Sequence, residues 1–347
     1  MDFTLPPEAT AAAGLAATIC RDHCTPERLR AAEASGDRFD ADLWRALGEA
    51  GLLGLAAPEE HGGAGLGMVE LCAVLEQLGR ALAPVPAATH AATALALARF
   101  GTEELRREWL PRAAAGEVVL TCALHESEGT ASVVPAGMRA DLVAVPVRAD
   151  GGTRVVLVTP TSPDVRFEPQ VVSDGEPTAR VTVGAEAIAA APSLDGDDAA
   201  RHLAEHVAVA LCAWQLGVVD GALALTSSYA GTREQFGRPI GTFQAVSQRL
   251  ADGYIDVLGA RLLLWQAAWR LSAGLPASAQ VAEAKLWAAD TGHRLAHTTV
   301  HVHGGVGIDL DGEAHRYFTA AKRGELLLGG TTAAALEIGD ELALAGR

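Results

Sequence analysis

Between two long helical patterns the chain carries Arg233-Glu-Gln-Phe-Gly-Arg-Pro-Ile-Gly-Thr-Phe-Gln244. Gly237, Pro239 and Gly241 forbid a continuous helix through that stretch and predict a tight corner. The preceding pattern, Val207 to Tyr229, runs through the polar Thr226-Ser227-Ser228 and reaches Gly231 just past its end. The following pattern starts near Thr242 and places Val246, Leu250, Tyr254, Val257 and Leu262 at helical spacing. Short corners between long helices make antiparallel neighbours, so this half of the chain reads as a bundle. Arg233 before the corner and Gln244 near the next helix start put a planar guanidinium and an amide at a helix N-terminus. That combination suits a phosphate or pyrophosphate. An ordinary surface arginine in a helix-helix turn fits the same spacing.

Upstream, residues 5 to about 115 also read as helices. Pro7 and Glu8 suit a first turn, Asp40 caps another start, and Val69 to Arg80 puts Val69, Cys72, Ala73, Leu75 and Leu78 on one face. The run Gly62-Gly63-Ala-Gly65-Leu-Gly67 follows no strand and has no downstream acidic partner, so it reads as a linker and not a dinucleotide loop. From about Glu117 the period changes. Short β-branched runs at Val118–Leu124, Asp141–Val147, Arg154–Thr159, Val165–Pro169 and Ala179–Val183 are divided by Gly, Pro and Asp. They predict a small antiparallel β region ending near Ser193, after which helices return from about Asp195.

With 347 residues, 49% of them hydrophobic, the chain has ample material for a large core. A formal charge of -16 repels a nucleic-acid backbone, which excludes DNA and RNA as partners. Cys20, Cys24, Cys72, Cys122 and Cys212 are odd in number and scattered through apolar segments, as buried thiols in a reducing compartment would be. Cys20-Arg-Asp-His-Cys24 supplies half of a zinc spacing and no second half follows it. Met1-Asp2-Phe3-Thr4 has neither the basic nor the apolar region of a secretory signal, and no uncharged apolar run reaches membrane-spanning length. The expectation is a soluble cytoplasmic protein without membrane contact.

His293, His297 and His301 fall at i, i+4 and i+8, a spacing that admits a metal, but no carboxylate or cysteine completes the set. The competing reading, a polar helix face, is preferred, and no metal is expected. The Glu-x-x-His pairs of a di-iron bundle are missing. Lys285 reads as solvated, Trp287 as packed, and Trp265 with Trp269 as bundle core. Asp309, Asp311 and Glu313 are too few for a hard cation. No Gly-x-Ser-x-Gly elbow supports serine chemistry.

Arg233-x-x-Phe236-Gly237 and Phe243-Gln244, with His301-Val-His-Gly304-Gly305 one long helix later, resemble the carboxy-terminal half of the acyl-CoA dehydrogenases. The amino-terminal half agrees at Leu43–Gly54, at Pro58-Glu-Glu-His-Gly-Gly63 and from Glu70 to Gly79. The resemblance runs nearly end to end and implies an α+β, mostly α fold. Its parts would be an N-terminal helical domain (1–116), a shortened antiparallel β-domain (117–194) and a C-terminal four-helix bundle (195–347). In that family FAD lies against the β-domain of one subunit, and a neighbour's Arg-x-x-Phe-Gly and Gln-x-x-Gly-Gly segments grip its ADP half. A glutamate removes the α-proton of an acyl-CoA while the flavin takes the β-hydride. Carried over residue by residue, Arg233 would meet the pyrophosphate, Phe236 would pack at the corner, and Phe243 and Gln244 would line the groove. His301 replaces the family's Gln, and Gly304 and Gly305 let backbone approach the nucleotide.

The departures are as informative. The family's base falls on Leu328, or on Gly329 with a one-residue shift, and neither takes a proton. The base position used by other members falls on Val207, with Ala208 where an Arg often follows; Glu205 is about 200° away round the helix. The Thr-Glu-Pro-Gly-Ala-Gly-Ser-Asp segment is reduced to Leu124-His-Glu126-Ser-Glu-Gly-Thr130, and the strand that brings a Trp to the flavin has no match before Asp141. This pattern resembles the base-lacking subunit of actinobacterial heteromeric dehydrogenases of steroid side-chain breakdown. It implies an α2β2 assembly with an unlike, glutamate-bearing subunit, a sterol side-chain CoA thioester as substrate, an electron acceptor, and no catalytic base on this chain. Two alternatives stay open: a self-sufficient homotetramer whose base is Glu205 or Glu325, or a scaffold that binds no flavin.

Overall fold

The change of periodicity near residue 117 is also a change of architecture. In a computed structural model, which describes residues 4–125, 127–149, 152–194, 196 and 198–345, six helices precede the first strand. They are α1 (Pro7–His23), α2 (Pro26–Ala34), α3 (Ala41–Glu49), α4 (Met68–Arg80), α5 (Ala87–Phe100) and α6 (Glu103–Ala114). The strands are β1 (Leu120–Cys122), β2 (Thr130–Val134), β3 (Leu142–Ala149), β4 (Gly152–Val158), β5 (Val165–Gln170), β6 (Thr178–Val183) and β7 (Ser193–Leu194). A short α7 (Ala185–Ala190) precedes β7. Then come α8 (Ala199–Thr232), the hairpin strands β8 (Glu234–Gln235) and β9 (Arg238–Pro239), α9 (Gln244–Ser272), α10 (Ser278–His303), α11 (Ala314–Leu327) and α12 (Gly330–Ala345). Met1–Phe3, Glu126 and Asp195, used above in reading the sequence, lie outside the described residues.

The chain divides into two compact units. One contains residues 6–74 and 84–210, the other residues 75–83 and the chain from 211 onward. In the first, β1-β3-β4-β7 and β2-β6-β5 form two sheets. Period-2 alternation turns Val143, Val145 and Val147 of β3, Val156 and Val158 of β4, and Val181 and Val183 of β6 into one buried cluster. Local signals also place the helix starts. Asp40 accepts from the amides of Asp42 and Leu43, and Arg28 pairs with the same carboxylate at 2.8 Å.

Three expectations for this unit are corrected. The β region is not wholly antiparallel, because β1 runs parallel to β3, with Leu120 opposite Leu142. The chain between Thr130 and Asp141 does not skip a strand: β2 forms there and pairs with β6. Its register shifts between Ala131 and Val134, where Val133 takes a left-handed φ of 59°, so the alternation that would mark a strand is broken. Helix α7 interrupts a region read as all strand.

In the second unit α10 is central and packs against α9, α11 and α12. Gln215 of α8 is fully buried, and its Nε2 donates to the Ala321 carbonyl of α11 at 2.9 Å. Two glycines make room for that amide. A Cβ on Gly292 would stand 1.9 Å from its Nε2, and one on Gly324 would stand 2.0 Å from its Oε1. Helix α8 is long and apolar enough to cross a membrane, with a window hydropathy of 1.7, although Asp220 interrupts its uncharged run. Of that window 83% is buried within the fold, as for a soluble protein's core helix.

The expectations for Lys285 as solvated and Trp287 as packed hold only in part, since the Trp287 ring lies against Gly259. The Lys285 side chain is 14% exposed and its Nζ meets Glu337 of α12 at 2.6 Å, whereas Trp287 is 38% exposed. Trp265 is buried, but Trp269 is exposed and not bundle core.

Candidate functional site

The corner after α8 is a β-hairpin. Glu234 pairs with Pro239 and Gln235 with Arg238, and the two turn residues between them, Phe236 and Gly237, have φ of 55° and 77°. Consecutive left-handed residues make the type I′ turn that fits a two-residue hairpin. Gly237 adopts this freely; Phe236 does so against its steric preference. The Ile240 amide donates to the Arg233 carbonyl at 2.8 Å and closes the hairpin base.

Arg233 is exposed, and among the described residues its guanidinium has no partner. Phe236 was expected to pack at the corner and instead is 92% exposed, with its ring edge-on to Phe243 at a centroid distance of 6.1 Å. Arg238, which the sequence reading did not single out, lays its guanidinium 4.2 Å above the Phe243 ring. Gln244 opens α9. That 29-residue helix starts without a side-chain cap, and the Val246 and Ser247 amides donate to the Phe243 carbonyl, which leaves those of Gln244 and Ala245 at the positive end of the helix dipole.

The second predicted segment reaches the same end of the bundle. Tyr229, one turn before Arg233, stacks on His303 with ring centroids 4.3 Å apart. Below it, the Thr226 hydroxyl donates to Thr299 at 3.2 Å. His303 Nδ1 donates to the Thr299 carbonyl at 2.8 Å, which fixes its tautomer. Helix α10 ends at Gly304, where φ is 64°, and a Cβ on Gly304 or Gly305 would meet nothing within 4 Å. His301, on the last turn of α10, is exposed. Arg233, Gln244 and the Gly304–Gly305 turn therefore belong to one bundle end. Tyr229 and Arg238 are the residues that spacing alone missed, since one acts through a helix 70 residues away and the other through a ring.

The positions onto which the family's base falls carry residues that take no proton. Leu328 is buried, and Gly329 and Gly330 follow it with φ of 83° and 71°. Glu325 already has two partners. Its Oε1 lies 3.2 Å from His293 Nδ1, and Lys322 donates to its Oε2 at 2.5 Å. Val207 is buried. The carboxylate missing from the histidine series is thus Glu325, brought in by α11. Lys322 Nζ stands 3.1 Å from the same imidazole nitrogen. His297, beside His293, titrates below its ordinary value, first because of burial and then because His293 and Lys322 are near.

Residues 6–117 match the profile of the acyl-CoA dehydrogenase N-terminal domain, and residues 195–342 match that of the acyl-CoA dehydrogenase C-terminal domain. The chain is similar to acyl-CoA dehydrogenase FadE27 of Mycobacterium tuberculosis, with 44% identity over 99% of both chains. Its structure is similar to a chain of the ChsE4-ChsE5 complex from the same organism, with a TM-score of 0.92, 44% identity and 99% of each chain covered. It is also similar to a variant of the Tcur3481-Tcur3483 steroid acyl-CoA dehydrogenase, with a TM-score of 0.93, 39% identity and the same coverage.

Proposed function

Because the chain belongs to the acyl-CoA dehydrogenase family, oxidoreductases whose cofactor is FAD, we propose that it is the base-lacking half of a heteromeric enzyme. FAD supplies hydride acceptance at the β-carbon of the acyl-CoA. Everything this chain contributes follows from one observation. The bundle end that presents an unpaired Arg233 beside the bare Gly304–Gly305 turn is intact, while Leu328-Gly329-Gly330 occupies the base position.

These residues fit the ADP half of FAD. A free guanidinium and the uncapped N-terminus of α9 both favour a pyrophosphate. The open backbone at Gly304 and Gly305 leaves space a side chain would fill. In this reading Arg233 binds the pyrophosphate, Phe236, Phe243 and Gln244 line the nucleotide groove, and His301 donates one hydrogen bond where the family has an amide. The α-proton passes to a glutamate of the unlike subunit.

An unlike subunit also accounts for a face that this chain leaves uncovered. Ile255, Leu258, Leu262 and Trp269 recur along one side of α9, with Ile255 62% and Trp269 45% exposed. An apolar stripe of that length calls for a protein partner, and an α2β2 tetramer would bury it. The substrate class we infer is a CoA thioester of a shortened sterol side chain, supported by likeness to a steroid acyl-CoA dehydrogenase. Five free cysteines, four of them buried, agree with a reducing cytoplasm. The division at 1–116, 117–194 and 195–347 is kept as the proposed domain organisation.

The test is turnover. With a sterol side-chain CoA thioester and an artificial electron acceptor, this chain alone should be inactive, and the pair with a glutamate-bearing homologue active. Replacing that partner's glutamate by Gln should abolish turnover. Activity of this chain alone would return attention to a displaced base.

A further inference from the structure

Two thiols stand one helical turn apart at the end of α1. Cys20 is buried within the helix; Cys24 is the residue that follows it, half-buried and within reach of a small solute. The Cys24 amide donates to the Cys20 carbonyl at 2.8 Å, which closes the turn, and both thiols are free. Residues so placed have Cα atoms roughly 6 Å apart, inside the range of about 4.4–6.8 Å that a disulfide spans. Within a helix the parallel Cβ directions would oppose that bond. Cys24 has left the helix, at φ -110° and ψ 42°, so its side chain is not held parallel to that of Cys20.

Contact between the two sulfurs separates this pair from the other cysteines. The Cys24 thiol is shifted well above the free-thiol range, first by its hydrogen bond with Cys20 and then by burial, so the two sulfurs are hydrogen-bonded neighbours and Cys24 keeps its proton. Cys122 and Cys212 are each pushed up to about 12 by burial, and no other cysteine is among the causes. Isolated buried thiols of that kind are inert.

We propose that Cys20 and Cys24 form an oxidisable dithiol that a peroxide converts to a disulfide. One sulfur attacks the O–O bond; an S–O bond forms, the O–O bond breaks, and one water leaves. The second sulfur then attacks the resulting sulfenic acid; the S–S bond forms, the S–O bond breaks, and the remaining thiol proton leaves with a second water. Two electrons pass from the thiol pair to the peroxide, and a small dithiol reductant reverses the change. The disulfide would form at the α1–α2 turn, where the His23 carbonyl accepts from Arg28 Nε at 3.1 Å. Arg28 in turn holds Asp40, the cap of α3. The bond therefore acts on a corner that fixes three helices.

Hydrogen peroxide applied to the full-length protein, followed by denaturation, thiol counting and intact mass measurement, tests this. The expected result is loss of two of the five thiols and of the mass of two hydrogen atoms, reversed by dithiothreitol. Arg21 lies between the pair, so tryptic cleavage should leave two peptides joined only by sulfur. Cys24→Ser should abolish the change, and Cys122→Ser should leave it intact. Added oxygen on a single cysteine, a bridge to any other cysteine, or five unchanged thiols would each overturn the proposal. Cys20→Ser provides the same test should Cys24→Ser fold poorly.

Discussion

The His303 ring lies on the ring of Tyr229, with centroids 4.3 Å apart and planes 21° from parallel. This contact joins the last turns of α8 and α10. It is why Arg233, which follows one helix, and Gly304, which follows the other, emerge at the same bundle end.

Replacing His303 by Leu removes the stack and the Nδ1 bond to Thr299. An aromatic pair contributes about 0.5–1.5 kcal/mol beyond its buried area. The expected outcome is a flavin affinity of the heteromeric complex weakened up to roughly tenfold, with assembly retained. Flavin fluorescence titration of the purified apo-complex measures it.

Arg233→Ala removes a charged hydrogen-bond donor worth about 1.5–3 kcal/mol. Flavin affinity should fall by roughly 10–100-fold while the assembly mass stays unchanged. Arg233→Lys should recover only part of the loss, because an ammonium lacks the planar fork. Equal affinity in all three proteins would remove Arg233 from the site.

The packing of Gln215 predicts a pair of destabilised variants. Gly292→Ala and Gly324→Ala each drive a methyl to about 2 Å from the buried amide of Gln215, an overpacking that costs about 1–3 kcal/mol. Gly14→Ala, on α1 with nothing within 4 Å, should be neutral or stabilising by up to about 1 kcal/mol. Urea unfolding midpoints of the three variants against wild type decide this.

Acid should destabilise the protein through His202 and His206. Their rings stack at 3.7 Å on α8, and burial, with the Arg99 charge nearby, pushes His202 down to about 3 and His206 to about 4. The unfolded chain takes up these protons near pH 6.5, the folded chain only near pH 3–4. The stability is therefore fully present above pH 6.5 and is lost progressively as pH falls toward 4. Replacing both histidines by Gln should flatten the dependence of unfolding free energy on pH between 6.5 and 4.

What the sequence made legible is what is local. Gly237 and Pro239 marked the corner, periodicity marked the long helices, and Gly304-Gly305 marked the end of α10. The two-residue hairpin turn was not legible, because Phe236 takes its left-handed φ against its preference and nothing nearby reveals that it faces solvent. The illegible parts depend on distant partners. Lys285 is half-buried because Glu337 of α12 meets it, and β1 finds its parallel neighbour 22 residues on. Strand β2 escaped notice because the shift at Val133 breaks the alternation by which strands are read. Glu325 looked available until α10 supplied His293 and α11 itself supplied Lys322.

The most direct test of a shared active site is flavin content with oligomer mass, for this chain expressed alone and then with a glutamate-bearing acyl-CoA dehydrogenase subunit. The account predicts no retained flavin in the chain alone, and one FAD per pair of unlike chains in a tetramer of the two. Stoichiometric flavin in the chain alone would contradict it.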